Sequence, residues 1–152
     1  MIKILYIILF FLISLNVNAE MIKPNPSISA KDVILIQLKA LQTNNLPFED
    51  AGIEQTWEFA HPSNRAFTGP IQRFTRMMYA PSYAVMLDHK KHDIIEVKLE
   101  NNIAYFFIEL TSLDGKMFGF KWTLEKVKKE GVFKDCWMTT AVSTPMPLST
   151  AS

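Results

Sequence analysis

The hydrophobic pattern of the chain changes its period once, near His92, and this change constrains the fold more than any other feature. Before His92, apolar side chains recur at the spacing of one helix face. After it they alternate with polar side chains, in runs rich in β-branched and aromatic residues. The order of helices followed by strands predicts an α+β fold, with N-terminal helices packed on a curved antiparallel sheet of about four strands.

The predicted elements are separated by proline, glycine and asparagine. Ser29 caps the first helix, with Asp32 in the place that a capping box requires. Helices are predicted over residues 29–44, 50–61 and 68–80, with a polar loop over 62–67 and a further helical turn over 82–87. Strands are predicted over residues 94–99, 103–111, 117–127 and 133–142, joined by links short enough for hairpins.

The register of the middle hairpin decides which side chains meet the helices. A two-residue turn at Asp114-Gly115 would pair Leu113 with Lys116. One face would then be aromatic and would face the helices, with Tyr105, Phe107, Glu109, Phe120 and Trp122 on it. The opposite face would carry Phe106, Ile108 and Leu110. The loop at Asn101-Asn102 has two or three residues, and each length puts Ile95, Val97 and Leu99 on a different face.

The first 19 residues have the pattern of an export signal. Lys3 precedes an apolar run, and Val17-Asn18-Ala19 is typical of a signal-peptidase site. The run is shorter than the about 20 residues that cross a bilayer, which favours a cleaved signal over a membrane anchor. No stable membrane insertion is therefore expected after cleavage. The predicted organisation is a signal peptide over 1–19, a lead-in over 20–28, one domain over 29–143 and a flexible tail over 144–152. The predicted location is periplasmic or secreted.

Charge and cysteine content exclude several classes of function. Lys3 is the one charged residue of the predicted signal, so 16 basic residues become 15, against 15 acidic residues. This balance argues against nucleic acid as a partner. Cys136 is the only cysteine, so no internal disulfide forms, and a buried strand residue is the favoured interpretation. His89 and His92 lack a third ligand at metal-site spacing, so no metal and no cofactor are expected.

The chain resembles an uncharacterised family of small domains, in segments that cover nearly all of the predicted mature chain. The matching segments are Ile36-Gln37-Leu38, Asp50-Ala51-Gly52-Ile53, Gln55-Thr56-Trp57, Phe59-Ala60-His61-Pro62, Asn64-Arg65, Thr68-Gly69-Pro70, Arg73-Phe74 and Cys136-Trp137-Met138-Thr139-Thr140. That family is similar in layout to the nuclear transport factor 2-like superfamily, in which helices and a curved sheet form a cone. The resemblance implies a cone with a pocket and leaves the activity open, because that superfamily includes both enzymes and binding domains.

Several polar and aromatic residues are candidates for a pocket site. Glu109 and His61 are the candidate acid and base, because a carboxylate among aromatic groups and a helix-end imidazole can both exchange protons. Arg65 and Arg73 flank a predicted helix start and are candidates for binding an anionic group. The remaining candidate ligand contacts are aromatic: Trp57, Tyr83, Phe107 and Trp122. Each charged candidate also has a purely structural alternative, as a helix-end hydrogen bond or a surface ion pair.

These observations favour a small-ligand-binding or protein-interaction module, with a small, largely apolar ligand or a protein as partner. The alternative is a small enzyme, such as an isomerase, a dehydratase or a hydrolase-like protein, that uses Glu109 and His61. A homodimer through Phe106, Ile108 and Leu110 is also predicted, because that apolar stripe would otherwise face water.

Overall fold

A computed structural model describes residues 20–148 and confirms the predicted α+β fold. The predicted signal peptide lies outside the described residues. The helices are α1 Ala30–Gln42, α2 Ala51–Glu58, α3 Pro62–Thr68, α4 Ile71–Tyr79 and α5 Pro81–Ala84. The strands are β1 Lys91–Leu99, β2 Ile103–Thr111, β3 Met117–Lys126, β4 Trp137–Val142 and β5 Met146–Leu148. The described helices therefore precede an open antiparallel sheet.

Helix α1 begins where the capping signal predicts. The Ser29 hydroxyl oxygen accepts a hydrogen bond from the backbone N–H of Asp32 at 3.1 Å. The same hydroxyl donates to the Asp32 carboxylate at 2.8 Å. These contacts satisfy a backbone donor that the first helical turn otherwise leaves without a partner. The apolar stripe of α1, which includes Ile34, Leu38 and Leu41, is fully buried against the sheet and α2.

The segment predicted as a polar loop is instead helix α3. Pro62 occupies its first turn, where a missing N–H costs nothing and the ring presets the backbone angle. The ring nitrogen Nδ1 of His61 caps this helix by accepting from the backbone N–H of Ser63 at 3.1 Å. Helix α2 ends at Glu58, three residues before its predicted end at His61, so Pro62 starts a helix and does not stop one. Helix α4 starts at Ile71, three residues later than the sequence pattern predicts.

The sheet has the order β1-β2-β3-β4, and β5 pairs with β3. Strand β5 lies within the segment predicted as a flexible tail, so that prediction is wrong for Met146–Leu148. These residues pair with Met117–Gly119 at the start of β3. Strand β4 pairs with the other end of β3, from Trp122 to Lys126, so the two strands share one edge of β3. Backbone pairing orders the segment although it has no apolar period.

The predicted register of the middle hairpin is wrong by one residue. The turn is a three-residue loop, in which the N–H of Gly115 donates to the Ser112 carbonyl at 2.9 Å. Gly115 has a φ of 87°, the left-handed conformation that closes such loops with a bulge. Thr111 consequently pairs with Met117, and Leu110 pairs with Phe118. A shift of one residue exchanges the two faces of a strand.

We call the sheet face that packs against the helices the inner face, defined by Ala104, Phe106, Ile108, Leu110, Phe120, Trp122 and Leu124. The opposite face is the outer face. Phe106, Ile108 and Leu110 are 3%, 0% and 1% exposed, so they form the core. The predicted dimer through this stripe is therefore wrong. These side chains have no surface to offer to a partner.

The first hairpin shows which of the two possible loop lengths at Asn101-Asn102 occurs. Its loop has two residues, because Leu99 pairs with Ala104 and the N–H of Glu100 donates to the Ile103 carbonyl at 2.8 Å. A bulge at Val97 then moves the pairing by one residue. Ile95 lies opposite Phe107, on the outer face. No helix within residues 20–148 is both long and apolar enough to cross a membrane.

Candidate functional site

A cavity of about 80 Å³ lies between the helices and the inner face of the sheet. About 10–15 Å³ of such a volume already holds one water molecule, so a small organic group fits. Apolar side chains make up most of its wall, including three methionines, which adapt readily to ligands of different shape. The lining residues are Gln37, Leu41, Thr56, Ala60, Asn64, Thr68, Phe74, Met77, Met78, Tyr83, Met86, Trp122, Thr139 and Val142.

A chain of buried hydrogen bonds crosses the floor of the cavity and joins four elements. The indole N–H of Trp122 donates to the Thr139 hydroxyl oxygen at 3.1 Å. That hydroxyl donates to Oε1 of Gln37 at 2.7 Å. Nε2 of Gln37 donates to the Thr56 carbonyl at 3.1 Å. The three side chains are at most 3% exposed, and the contacts link β3, β4, α1 and α2. Such a chain of buried hydrogen bonds holds the floor rigid.

The mouth of the cavity is lined by half-buried residues of α3, α4, α5 and β4. Nδ2 of Asn64 donates to the Thr139 carbonyl at 3.1 Å, which ties α3 to the sheet. The Thr68 hydroxyl donates to the Asn64 carbonyl at 3.0 Å. The Tyr83 hydroxyl donates to the Val142 carbonyl at 3.1 Å. Ligand access therefore depends on contacts between short helices and the end of one strand.

The cavity is electrically neutral. Among the described residues that line it, none is Asp, Glu, Lys, Arg or His. Its one titratable group is the Tyr83 phenol, whose pKa is raised by burial. A phenol with a raised pKa keeps its proton at neutral pH, so this wall offers no general base. The arrangement suits the binding of an uncharged ligand.

Of the predicted site residues, Tyr83 and Trp122 line the cavity. Trp57 lies behind its wall, where its ring meets Phe74 with the centroids 5.1 Å apart. Phe107 and Glu109 lie on the outer face, because of the register shift. A Cβ atom on Gly119 would come within 2.4 Å of the Phe107 ring, so that ring covers the glycine. Glu109 pairs across the strands with the same glycine, away from the cavity.

His61 is outside the set of cavity-lining residues and has a structural role. Its Nδ1 lies 2.8 Å from the Ser63 hydroxyl and caps α3. Its backbone N–H donates to the Thr139 carbonyl at 2.8 Å. Burial lowers the pKa of His61, and the charge of Glu125 opposes that shift. The structure does not bring His61 and Glu109 to one site, since Glu109 is on the outer face.

Arg65 stabilises the end of α2. Its Nε donates to the Ala60 carbonyl at 2.9 Å, and its Nη2 donates to the carbonyls of Trp57 and Glu58 at 3.0 Å each. The guanidinium carbon also lies 5.1 Å from the centroid of the Trp57 ring. Two of these carbonyls, those of Trp57 and Glu58, belong to the last turn of α2, where a helix leaves carbonyls short of donors. Three donor contacts are therefore used within the fold, while Arg73 is exposed on α4.

A pair of histidines and one buried cysteine lie outside the cavity. Nδ1 of His89 is 2.7 Å from the Met86 carbonyl oxygen, and its Nε2 is 2.7 Å from Nδ1 of His92. Burial lowers the pKa of both histidines. Cys136 is fully buried, and burial raises the pKa of its thiol, which favours the unreactive protonated form. Within residues 20–148 no group of three or more His, Cys, Asp or Glu side chains is placed to hold a metal ion.

Comparison with known proteins adds no relative: no family model, no curated protein and no solved structure matches this chain. The site is therefore interpreted from its own geometry.

Sequence reasoning missed most of the polar groups that build the cavity. Gln37 stands on the buried stripe of α1, and a glutamine among apolar positions is a signal for a buried hydrogen bond. Thr139 gives no such signal, because threonine is common in strands whether buried or not. Asn64 falls in the predicted loop over 62–67, and Thr68 stands at the predicted start of the next helix.

Proposed function

We propose that this protein is an exported module that binds a small, uncharged, largely apolar ligand in the cavity between its helices and its sheet. The observation that carries the proposal is the composition of the cavity wall. Apolar side chains surround a buried hydrogen-bond chain, and no lining residue carries a charge. Small-molecule sites are typically apolar cavities with a few fixed polar groups.

The cavity volume limits how such a ligand binds. A volume of about 80 Å³ accepts a small ring or a branched alkyl group. A larger ligand inserts one group and leaves the remainder at the mouth, near Asn64, Thr68 and Tyr83. The resemblance to the nuclear transport factor 2-like superfamily, which implies a cone with a pocket, supports the same interpretation. Export rests on the signal pattern of residues 1–19.

A pair of alanine substitutions tests the proposal. Ala60 is buried and lines the cavity, so Ala60→Leu adds three carbon atoms to its interior. Ala141 is exposed on β4, and Ala141→Leu adds the same atoms at the surface. Protein expressed from the full-length sequence is screened with small neutral fragments by thermal unfolding. At a fragment concentration ten times Kd, binding stabilises the fold by about 1.4 kcal/mol, which raises Tm by several degrees.

Fragments that bind wild type are expected to bind Ala141→Leu equally and to lose binding to Ala60→Leu. Equal binding to both variants would place the fragments elsewhere on the protein. A screen in which charged fragments bind and neutral fragments do not would contradict the proposal directly.

A further inference from the structure

The hydrogen-bond chain at the cavity floor has one direction, which its Thr56 end imposes. The Thr139 hydroxyl oxygen accepts from the indole N–H of Trp122, and its own hydrogen goes to Oε1 of Gln37. At the other end the Thr56 backbone carbonyl can only accept, so it receives an N–H of Gln37. The side-chain amide of Gln37 therefore has a fixed orientation, with its NH₂ group away from Thr139.

This orientation leaves one N–H of Gln37 unused. The amide nitrogen carries two hydrogens, and its hydrogen bond within the described residues is the one to the Thr56 carbonyl. Gln37 is 1% exposed and lines the cavity. A buried N–H without an acceptor is costly, whereas an unused lone pair is tolerated more easily. An acceptor supplied by a ligand would remove that cost.

The hydroxyl groups around the cavity do not compete for this role. The Thr56 hydroxyl donates to the Gly52 carbonyl at 2.8 Å, and those of Thr68 and Tyr83 donate to backbone carbonyls at 3.0 and 3.1 Å. Each of these hydrogens is in use, so the three hydroxyls offer only lone pairs. Nδ2 of Asn64 also carries a second hydrogen beside the one it donates to the Thr139 carbonyl, but Asn64 is half-buried at the mouth, where water can accept that hydrogen. Gln37 is thus the buried donor that the floor presents, beside Trp122 and Thr139, whose hydrogens are committed.

We infer that the ligand is a neutral carbonyl compound, such as a small ketone or ester, whose oxygen accepts the second N–H of Gln37. The inference rests on the proposed function and specifies its ligand class. A carboxylate would enter a wall without a positive charge, and an ammonium group would present hydrogens to the Gln37 donor. A carbonyl compound buries its apolar part against the methionines and meets the buried Gln37 donor with its oxygen.

Two probes of the same shape test this inference. Cyclopentanone has a carbonyl oxygen where methylenecyclopentane has a CH₂ group, so the two differ in the acceptor. Each probe is titrated into wild type, Gln37→Met and Gln42→Met, all expressed from the full-length sequence. Gln42 is also on α1, but its side chain donates to the Lys90 carbonyl at 2.9 Å, and it does not line the cavity. It is therefore a matched control.

Gln37→Met is expected to weaken cyclopentanone binding about fivefold relative to methylenecyclopentane, the size of one hydrogen bond, and Gln42→Met to change neither. Each probe is compared between wild type and variant, so the different hydration of the two free probes does not affect the comparison of their changes in Kd. The ¹H–¹⁵N spectrum of wild type provides a second measurement that needs no variant. Cyclopentanone should shift one of the two Gln37 side-chain amide protons downfield, and methylenecyclopentane should not.

The outcomes separate the inference from the proposed function. If neither probe binds wild type at saturating concentration, the small-ligand function fails and the inference fails with it. If both probes bind but the Gln37 amide protons respond identically, the inference is overturned and the binding function stands. The spectrum decides alone if Gln37→Met does not fold.

Discussion

Replacing Thr139 by valine removes one hydroxyl from the centre of the cavity floor and keeps the shape of the side chain. Valine also suits a strand, so β4 is not expected to suffer from the change itself. The lost hydroxyl has two partners, the Trp122 indole at 3.1 Å and the Gln37 amide oxygen at 2.7 Å. Both partners stay buried after the substitution, at 2% and 1% exposure.

The magnitude follows from what the two partners lose. Leaving a buried donor or acceptor without a partner costs about 1–3 kcal/mol each. Valine recovers about 1 kcal/mol, because a hydroxyl no longer has to be buried. The net range is about 1–5 kcal/mol, and the adjacent cavity has room for water near the indole, which puts the total in the lower half of that range. Thr139→Val should therefore reduce the free energy of unfolding by about 2–3 kcal/mol, or roughly 10 °C in Tm.

Urea unfolding followed by circular dichroism measures this difference, and Thr140→Val is the matched control. Thr140 is the next residue of β4, half-buried, with a single hydrogen bond to the Thr123 carbonyl at 3.2 Å. Its replacement should cost under about 1 kcal/mol. If the two variants lose the same stability, the buried chain does not hold the floor. If the chain does hold the floor, the double variant Thr139→Val with Gln37→Met should cost less stability than the sum of the single changes, because both changes remove the same contact.

Three further predictions concern the rest of the domain. Burial lowers the pKa of all three histidines in the folded protein, whereas a histidine in the unfolded chain has a pKa of about 6.5. Below pH 6.5 the unfolded chain therefore binds more protons than the folded chain. Stability should be constant just above pH 6.5 and fall as the pH drops from there towards the lowered folded values; a urea midpoint that rises on acidification would contradict this. Arg65→Lys should cost about 2 kcal/mol in urea unfolding, because lysine cannot reach three carbonyls at once, while Arg73→Lys at an exposed position should cost under about 0.5 kcal/mol. The Cys136 thiol should resist a thiol-specific reagent in buffer and react in denaturant; rapid reaction of the folded protein would show that it is accessible.

The sequence predicts the fold class and the element types well, because those depend on local signals. Ser29 identifies the start of α1 through its own side chain, and the change of period near His92 separates helices from strands. The sequence pattern does not predict helix α3, because it identifies Pro62 only as a residue that stops the preceding helix. A proline is compatible with both roles, and the following polar residues have no apolar stripe to reveal a helix.

The face of each strand was not predictable from the pattern, because both faces of β2 are apolar. Phe106 and Phe107 are neighbours that point to opposite sides, and one of them covers a glycine on the outer face. Gly115 has a left-handed conformation in the turn, and a glycine there is compatible with a loop of two or three residues, so this glycine does not determine the register. The assignment of Glu109 to a pocket depended on the register of this hairpin. The observed register differs by one residue and puts Glu109 on the outer face, so that assignment is wrong.

The cavity floor can form only after most of the chain has folded. The hydrogen bond between Gln37 and Thr139 joins residues 102 positions apart in the chain. Contacts between distant residues form late, because closing a long loop costs entropy before any contact is gained. The helices and the two hairpins of β1, β2 and β3 can form without residue 139, but the floor cannot. A chain still emerging from a ribosome or a translocation channel lacks this contact until β4 has been delivered, so ligand binding would report on completion of the fold.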